Sequence, residues 1–222
     1  MRLLLTSGGI KNPSIERALV EVLRKPIAEA SVLCISTASY ALIRRPELAY
    51  EYFTGTSGTP MCELGWKGVG VLELTALPTV DEERWVASVR KADVLLVNGG
   101  DPMYLCHWMR ESGLAARLPS LEATAYVGLS AGSMVMTPRI GEDFVNWRPP
   151  TDDDITLGFV DFSIYPHLDH PELPNNTMAN AETWAAGLGN PAYAIDDDTA
   201  IKVVDGSVEV VSEGHWREFA VV

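Results

Sequence analysis

The stretch Tyr126-Val127-Gly128-Leu129-Ser130-Ala131-Gly132-Ser133-Met134-Val135 holds the residues best suited to chemistry. Ser130 lies between Gly128 and Gly132 in the pattern G-x-S-x-G, read as a buried strand that breaks into a sharp turn with a helix behind it. Such a turn lifts a hydroxyl clear of a sheet, and the glycines permit close strand–helix approach. The Ala131 N–H, at the helix start, then points where the oxyanion of an acyl-transfer intermediate would form. Small residues serve any strand-to-helix turn, so the serine needs partners before it counts as a nucleophile.

A base must come from four histidines. His107 falls one turn into a helix after Pro102, and His215 lies beyond the last hairpin; both suit surface or packing positions. His167 and His170 follow the apolar run Phe162-Ser163-Ile164-Tyr165, which places them at the carboxyl end of a strand. Pro166 stiffens that exit and favours His167 as the base, with His170 a loop residue or a substrate contact. The base in turn needs a carboxylate to hold its tautomer and stabilise the imidazolium. Asp197, Asp169, Glu142 and Asp143 are all candidates, and their positions in the chain leave the choice open. A second oxyanion donor is expected from another strand end, and the turn Val97-Asn98-Gly99-Gly100-Asp101-Pro102 offers one. Gly8-Gly9 does not continue as G-x-G-x-x-G, which argues against a dinucleotide site.

The elements that must hold these groups alternate between short apolar runs and amphipathic stretches. Strands are predicted over 2–6, 31–35, 70–74, 94–97, 124–129 and 162–165, and helices over 12–25, 81–91, 103–111 and 174–188. Ala200–Val204 and Ser207–Val211, joined by Asp205-Gly206, read as a closing hairpin. The expected fold is a single domain over 1–222: an α/β doubly wound, mostly parallel sheet with helices on both faces and a C-terminal antiparallel hairpin. The chain has 47% apolar residues and no apolar run of transmembrane length, which implies a soluble protein without a membrane partner. A net charge of −13 with no basic stripe argues against nucleic acid. Three widely spaced cysteines fit neither a disulfide framework nor a metal motif, and the expected compartment is cytoplasmic. Asp152-Asp153-Asp154 reads as a solvated loop.

Four segments, in this order, resemble the peptidase E (aspartyl dipeptidase) and cyanophycinase family of serine peptidases, whose fold is related to the class I glutamine amidotransferases. They are Asn98-Gly99-Gly100-Asp101, Gly128-Leu129-Ser130-Ala131-Gly132-Ser133, Tyr165-Pro166-His167-Leu168 and Ile195-Asp196-Asp197-Asp198-Thr199-Ala200. The resemblance covers nearly the whole chain. It implies a serine peptidase acting on a short peptide or related small amide, with Ser130 as nucleophile, His167 as base and Asp197 as the orienting acid. The N–H groups of Ala131 and of Gly100 or Asp101 would hold the oxyanion, and neither a metal nor an organic cofactor is required. Asp197 stands where the family carries glutamate, and relatives with an acid closer behind the serine keep Asp143 and Glu142 as alternatives. Relatives that cleave acidic substrates carry arginines in the helix after the histidine, whereas 175–184 here contains none. Arg139, Arg148 and His170 are then the candidate substrate contacts, with Phe144, Trp147 and Trp184 available to line a less polar pocket. No strong preference for acidic N-terminal residues is expected. Two other readings stand beside this one: an esterase or amidase acting on a non-peptide, and a non-catalytic amidotransferase-like protein that binds a small ligand. The chain could also pair as a homodimer.

Overall fold

A computed structural model of the chain describes residues 1–41 and 47–220. In chain order its elements begin β1 (Arg2–Thr6), α1 (Pro13–Leu23), β2 (Ser31–Ile35), α2 (Leu48–Thr54), β3 (Gly68–Val71), α3 (Glu82–Lys91) and β4 (Val94–Val97). They continue as α4 (Pro102–Glu111), α5 (Leu114–Arg117), β5 (Ala125–Leu129), α6 (Ala131–Met134), β6 (Ser163–Tyr165) and α7 (Met178–Leu188). The last four strands are β7 (Ala192–Ile195), β8 (Thr199–Val204), β9 (Ser207–Ser212) and β10 (Trp216–Phe219).

A seven-stranded sheet has the order β3-β2-β4-β5-β1-β8-β9. Its pairings are parallel from β3 through to β1, then antiparallel through β8 and β9. Side chains on a strand point alternately to its two faces, so an uninterrupted apolar strand feeds two cores. In β1, Leu3 and Leu5 join one cluster and Leu4 the other; in β4, Leu95 and Val97 part from Val94 and Leu96 in the same way. α1 and α2 cover one face with Ile15, Leu19, Val22 and Tyr52. α3 and α4 cover the other with Trp85, Val89, Leu105 and Met109. No helix among the described residues is long and apolar enough to cross a membrane.

The mostly parallel sheet with helices on both faces and its C-terminal hairpin are as the sequence pattern predicts. Two parts differ. β3 lies at Gly68–Val71 rather than 70–74, because Leu72 and Leu74 leave the sheet to pack in the core. α7 starts at Met178 rather than near Pro174, since the Thr177 side chain caps it by accepting the Asn180 N–H. A second, three-stranded sheet of order β10-β7-β6 was not apparent from the pattern. It packs with α7 around Tyr165, Leu168, Trp184 and Leu188, and it carries the exit of β6 toward the carboxyl edge of the main sheet.

Candidate active site

Ser130 follows β5 directly and takes φ 51° and ψ −110°, a left-handed conformation that costs a non-glycine residue energy. Its neighbours make room for that turn. A Cβ on Gly128 would lie 2.4 Å from the Gly132 carbonyl oxygen, and one on Gly132 would lie 2.3 Å from the Val97 carbonyl oxygen. Glycine is therefore required at both positions by close approach. The Ser130 N–H donates to the Thr6 carbonyl at 3.0 Å, which ties the turn to the end of β1.

His167 leaves β6 after Pro166 and also has a positive φ, 57°. Its Nε2 lies 2.8 Å from Ser130 Oγ and its Nδ1 lies 2.7 Å from Asp197 Oδ1. Asp197 comes from the turn between β7 and β8, so three separate strand ends meet here. Burial alone would raise the Asp197 carboxyl. The hydrogen bond and charge of His167, with Ser7 and Lys11, outweigh it and hold the group well below the usual carboxylate range. An ionised Asp197 acting as acceptor at Nδ1 leaves Nε2 free of its proton and able to accept from Ser130.

The loop after β4 lies beside the serine: a Cβ on Gly99 would stand 3.4 Å from Ser130 Cβ. Asn98 braces it by donating to Ser36 Oγ at 3.1 Å and Ser39 Oγ at 2.9 Å while accepting the Gly99 N–H at 2.8 Å. Gly100 has φ 141°, and any Cβ there would meet the Ala38 carbonyl oxygen at 2.3 Å. Among the described residues, the N–H groups of Ala131 and Gly100 have no acceptor. Asp101, expected as an alternative donor to Gly100, differs from them. Its N–H is committed to the Ala38 carbonyl at 3.0 Å. Its buried carboxylate, pushed up by desolvation, caps α4 through the Tyr104 N–H and also takes the Trp147 N–H, both at 2.8 Å.

Ser130 and His167 open into a cleft of about 550 Å³ whose wall includes Gly99, Gly100, Met134, Phe144 and Pro166. The two arginines expected to contact substrate do not line it. Arg139 holds Asp154 through two hydrogen bonds of 2.9 Å and gives a third to the Leu188 carbonyl. Asp154 is consequently buried and kept ionised by that pairing against the opposing effect of burial, so the acidic run is not wholly a solvated loop. Arg148 is exposed and pairs with Glu142 at 3.2 Å and Asp152 at 3.4 Å. His170 is half-buried beside the relay, its Nε2 3.6 Å from Asp197 Oδ2. Of the three aromatic candidates only Phe144 lines the cleft. Trp184 is buried with its Nε1 donating to the Ile140 carbonyl, and Trp147 packs on Tyr104 and His107.

None of the three remaining acid candidates bonds the imidazole. Glu142 pairs with Arg148, and Asp169 pairs with His215 at 2.9 Å. Asp143 lines the cleft instead. Ser7, missed in the sequence, lies within the relay: its Oγ accepts the His167 backbone N–H and donates to Asp197 Oδ1, both at 2.7 Å. Its signal is its place at the carboxyl end of β1, directly before Gly8-Gly9.

A serine on a strained strand-to-helix turn, bonded through histidine to aspartate at the carboxyl edge of a parallel sheet, defines a nucleophile-elbow α/β protein. The chain belongs to Peptidase family S51, whose profile matches residues 3–211. It is 29% identical over 135 residues to peptidase E of Nostoc sp., covering 55% of this chain and 54% of that protein. An uncharacterized peptidase of Listeria innocua is 28% identical over 148 residues, 64% of this chain and 69% of that one. Peptidase E of Escherichia coli is 27% identical over 134 residues, 59% and 56% of the two chains. The matched stretch thus spans about half the length of the peptidase E relatives. Two solved structures share the fold. A candidate peptidase E protein from Listeria monocytogenes EGD-e has a TM-score of 0.68 at 21% identity, covering 96% of this chain and 98% of that one. A peptidase from an acI-B1 Actinobacterium has a TM-score of 0.65 at 19% identity, covering 99% and 94%.

Proposed function

We propose that this chain is a serine peptidase that hydrolyses short peptides or related small amides through Ser130, His167 and Asp197. The observation that carries the reading is the continuous relay from Ser130 Oγ through both ring nitrogens of His167 to Asp197 Oδ1. Ser130 Oγ attacks the scissile carbonyl while His167 Nε2 takes its proton, and Asp197 stabilises the imidazolium. The tetrahedral oxyanion is received by the N–H groups of Ala131 and Gly100. His167 then returns the proton to the departing amine, and water repeats the sequence on the acyl-enzyme. The amide bond breaks without a metal or an organic cofactor in this scheme. A cytoplasmic setting agrees with Cys34, Cys62 and Cys106 all being free.

The test is covalent labelling by a fluorophosphonate together with hydrolysis of a dipeptide library. The parent is expected to be labelled at Ser130, and Ser130→Ala to fold normally, resist the probe and lose turnover by roughly 10⁴-fold or more. A folded Ser130→Ala protein that hydrolysed peptides at the parent rate would overturn the reading.

A further inference from the structure

Outside the relay, Cys34 and Cys62 lie side by side with their sulfur atoms 3.4 Å apart. Cys34 belongs to β2 and is fully buried, whereas Cys62, in the segment that follows α2, keeps 8% exposure. That segment reaches the cleft. Ser57 and Thr59, whose hydroxyls lie 2.8 Å apart, line the same wall system as Ser130. Just beyond them the Pro60 carbonyl accepts the Ile10 N–H at 2.9 Å, and the Met61 carbonyl accepts from Trp66 Nε1 at 2.7 Å. A covalent bond made at Cys62 would therefore act a few residues from the cleft wall.

Two thiols in contact can close a disulfide, which asks the sulfurs to shorten their 3.4 Å approach to about 2.05 Å. The pair is also polarised. A hydrogen bond from the Cys34 S–H favours the thiolate of Cys62 and lowers that group against the effect of burial. The same bond, with burial, pushes the Cys34 thiol up. Thiolate character and exposure thus fall on the same sulfur, and these are the two properties that select a cysteine for oxidation. Cys106 supplies the contrast. Burial pushes it up to about 11, and its sulfur faces the Ile155 carbonyl rather than another thiol.

We infer that Cys34 and Cys62 form a site of reversible oxidative modification, a dithiol that a hydroperoxide converts to a disulfide tying the cleft-lining segment to β2. The Cys62 thiolate attacks the distal oxygen of the hydroperoxide and the O–O bond breaks. The alkoxide leaves and takes up the proton that Cys62 released, so Cys62 becomes a sulfenic acid, oxidised by two electrons. The Cys34 sulfur then attacks the Cys62 sulfur, the S–O bond breaks, and hydroxide departs with the Cys34 proton as water. Two thiols and one hydroperoxide thus give one disulfide, one alcohol and one water. A small dithiol reverses the change by exchange and is itself oxidised to a disulfide. In a reducing compartment such a bond is transient, as redox-sensing disulfides are. The tie acts on the segment whether or not the cleft hydrolyses peptides.

The experiment treats the folded protein with a small excess of hydrogen peroxide, alkylates the remaining thiols in urea, and maps the unreduced peptides by mass spectrometry. The expected product is a cross-linked Cys34–Cys62 peptide pair, lighter by two hydrogens, with Cys106 still alkylated. Dithiothreitol should restore both thiols. Hydrogen exchange measured in parallel should show the amides of residues 55–62 protected by roughly tenfold or more in the oxidised form, because the cross-link removes local openings of that segment. In Cys62→Ser, peroxide should leave their exchange unchanged. Recovery of both thiols free after peroxide would overturn the inference, as would a Cys62 sulfinic acid without a cross-link or a disulfide joining two copies of the chain. A cross-link that left exchange at 55–62 as in the reduced protein would also overturn it, since the segment would not be tied. So would a peroxide effect on that exchange that survived in Cys62→Ser. If Cys62→Ser does not fold, the peptide map and the exchange of the parent decide by themselves.

Discussion

Ser7 Oγ donates to Asp197 Oδ1 at 2.7 Å, the same carboxylate oxygen that holds His167 Nδ1. The same hydroxyl accepts the His167 backbone N–H at 2.7 Å. One side chain at the end of β1 thus fixes both the carboxylate and the strained backbone that presents the imidazole. A hydroxyl has one proton and two lone pairs, so the bond to Asp197 takes its only proton and the His167 N–H takes one of its lone pairs.

Ser7→Ala should therefore weaken the relay without removing any reacting group. The expected loss in kcat is roughly tenfold, the worth of one hydrogen bond to a charged group, with little change in KM. Ser7→Thr, which keeps the hydroxyl, should recover most of it. A Ser7→Ala protein that matched the parent in kcat, or a Ser7→Thr protein as impaired as Ser7→Ala, would refute the positioning role.

Asp197→Asn tests the orienting carboxylate. An amide can donate to Nδ1, which stabilises the tautomer with its proton on Nε2, and that tautomer cannot accept from Ser130. Turnover should drop by about 10⁴-fold with the fold retained, as for the equivalent change in other serine triads. The readouts are single-turnover hydrolysis and the fluorophosphonate labelling rate. A loss of less than about tenfold would move the acid elsewhere.

The same residue sets a pH signature in stability. The folded-state pKa of Asp197 is depressed, since the His167 hydrogen bond and charge outweigh the cost of burial. A depressed carboxylate contributes stability that is present above its unfolded pKa, near 3.9, and lost as pH falls through the folded value. Urea unfolding followed from about pH 6 downward should show stability falling from about pH 5, where the unfolded chain starts to bind more protons than the native one. Asp197→Asn should make that slope shallower. An unchanged slope in the variant would show that Asp197 carries no such shift.

Much of the frame was legible because the signal is local. Apolar runs such as Leu3-Leu4-Leu5 and Val94-Leu95-Leu96-Val97 declare strands covered on both faces, and G-x-S-x-G declares a tight turn whose glycines have no steric alternative. Pro166 similarly marked His167 at a strand exit, and the structure brings His167 to Ser130. What could not be read is what depends on distant partners. Ser7 acquires its role only because β1 lies between β5 and β8, which brings residues 160 and 190 positions away to its hydroxyl. Asp154 looked solvated because its partner Arg139 lies 15 residues earlier on another strand-like segment. The Asp101 N–H is taken by the Ala38 carbonyl, whose proximity follows from the β2–β4 pairing and not from any local pattern.

Arg139→Ala should damage the fold rather than the choice of substrate. Removing the guanidinium leaves Asp154, with a side chain only 5% exposed, as a buried charge holding just the Gly141 N–H and the surrounding backbone. Breaking a buried pair from one side costs about 3–5 kcal/mol, and the partial exposure of Arg139 lowers the expectation to about 2 kcal/mol. Chemical denaturation measures this directly. A stability equal to the parent's would mean that the pair contributes nothing.

The last prediction concerns acidic substrates. A carboxylate entering a cleft of this kind needs a charge-assisted partner, and a bidentate arginine is the usual one. Arg139 spends its donors on Asp154 and Leu188, and Arg148 is held outside the cleft by Glu142 and Asp152. Asp143 adds a negative charge to the cleft wall, which would repel a nearby carboxylate. In a dipeptide set differing only in the first residue, kcat/KM for Asp or Glu should not exceed that for Ala or Leu. Arg148→Ala should leave the ranking unchanged, since its guanidinium is solvent-facing and already paired. The opposite outcome has a clear threshold. A preference for Asp of 100-fold or more, about 2.7 kcal/mol of differential transition-state binding, would require a cation at the cleft that none of the described residues supplies.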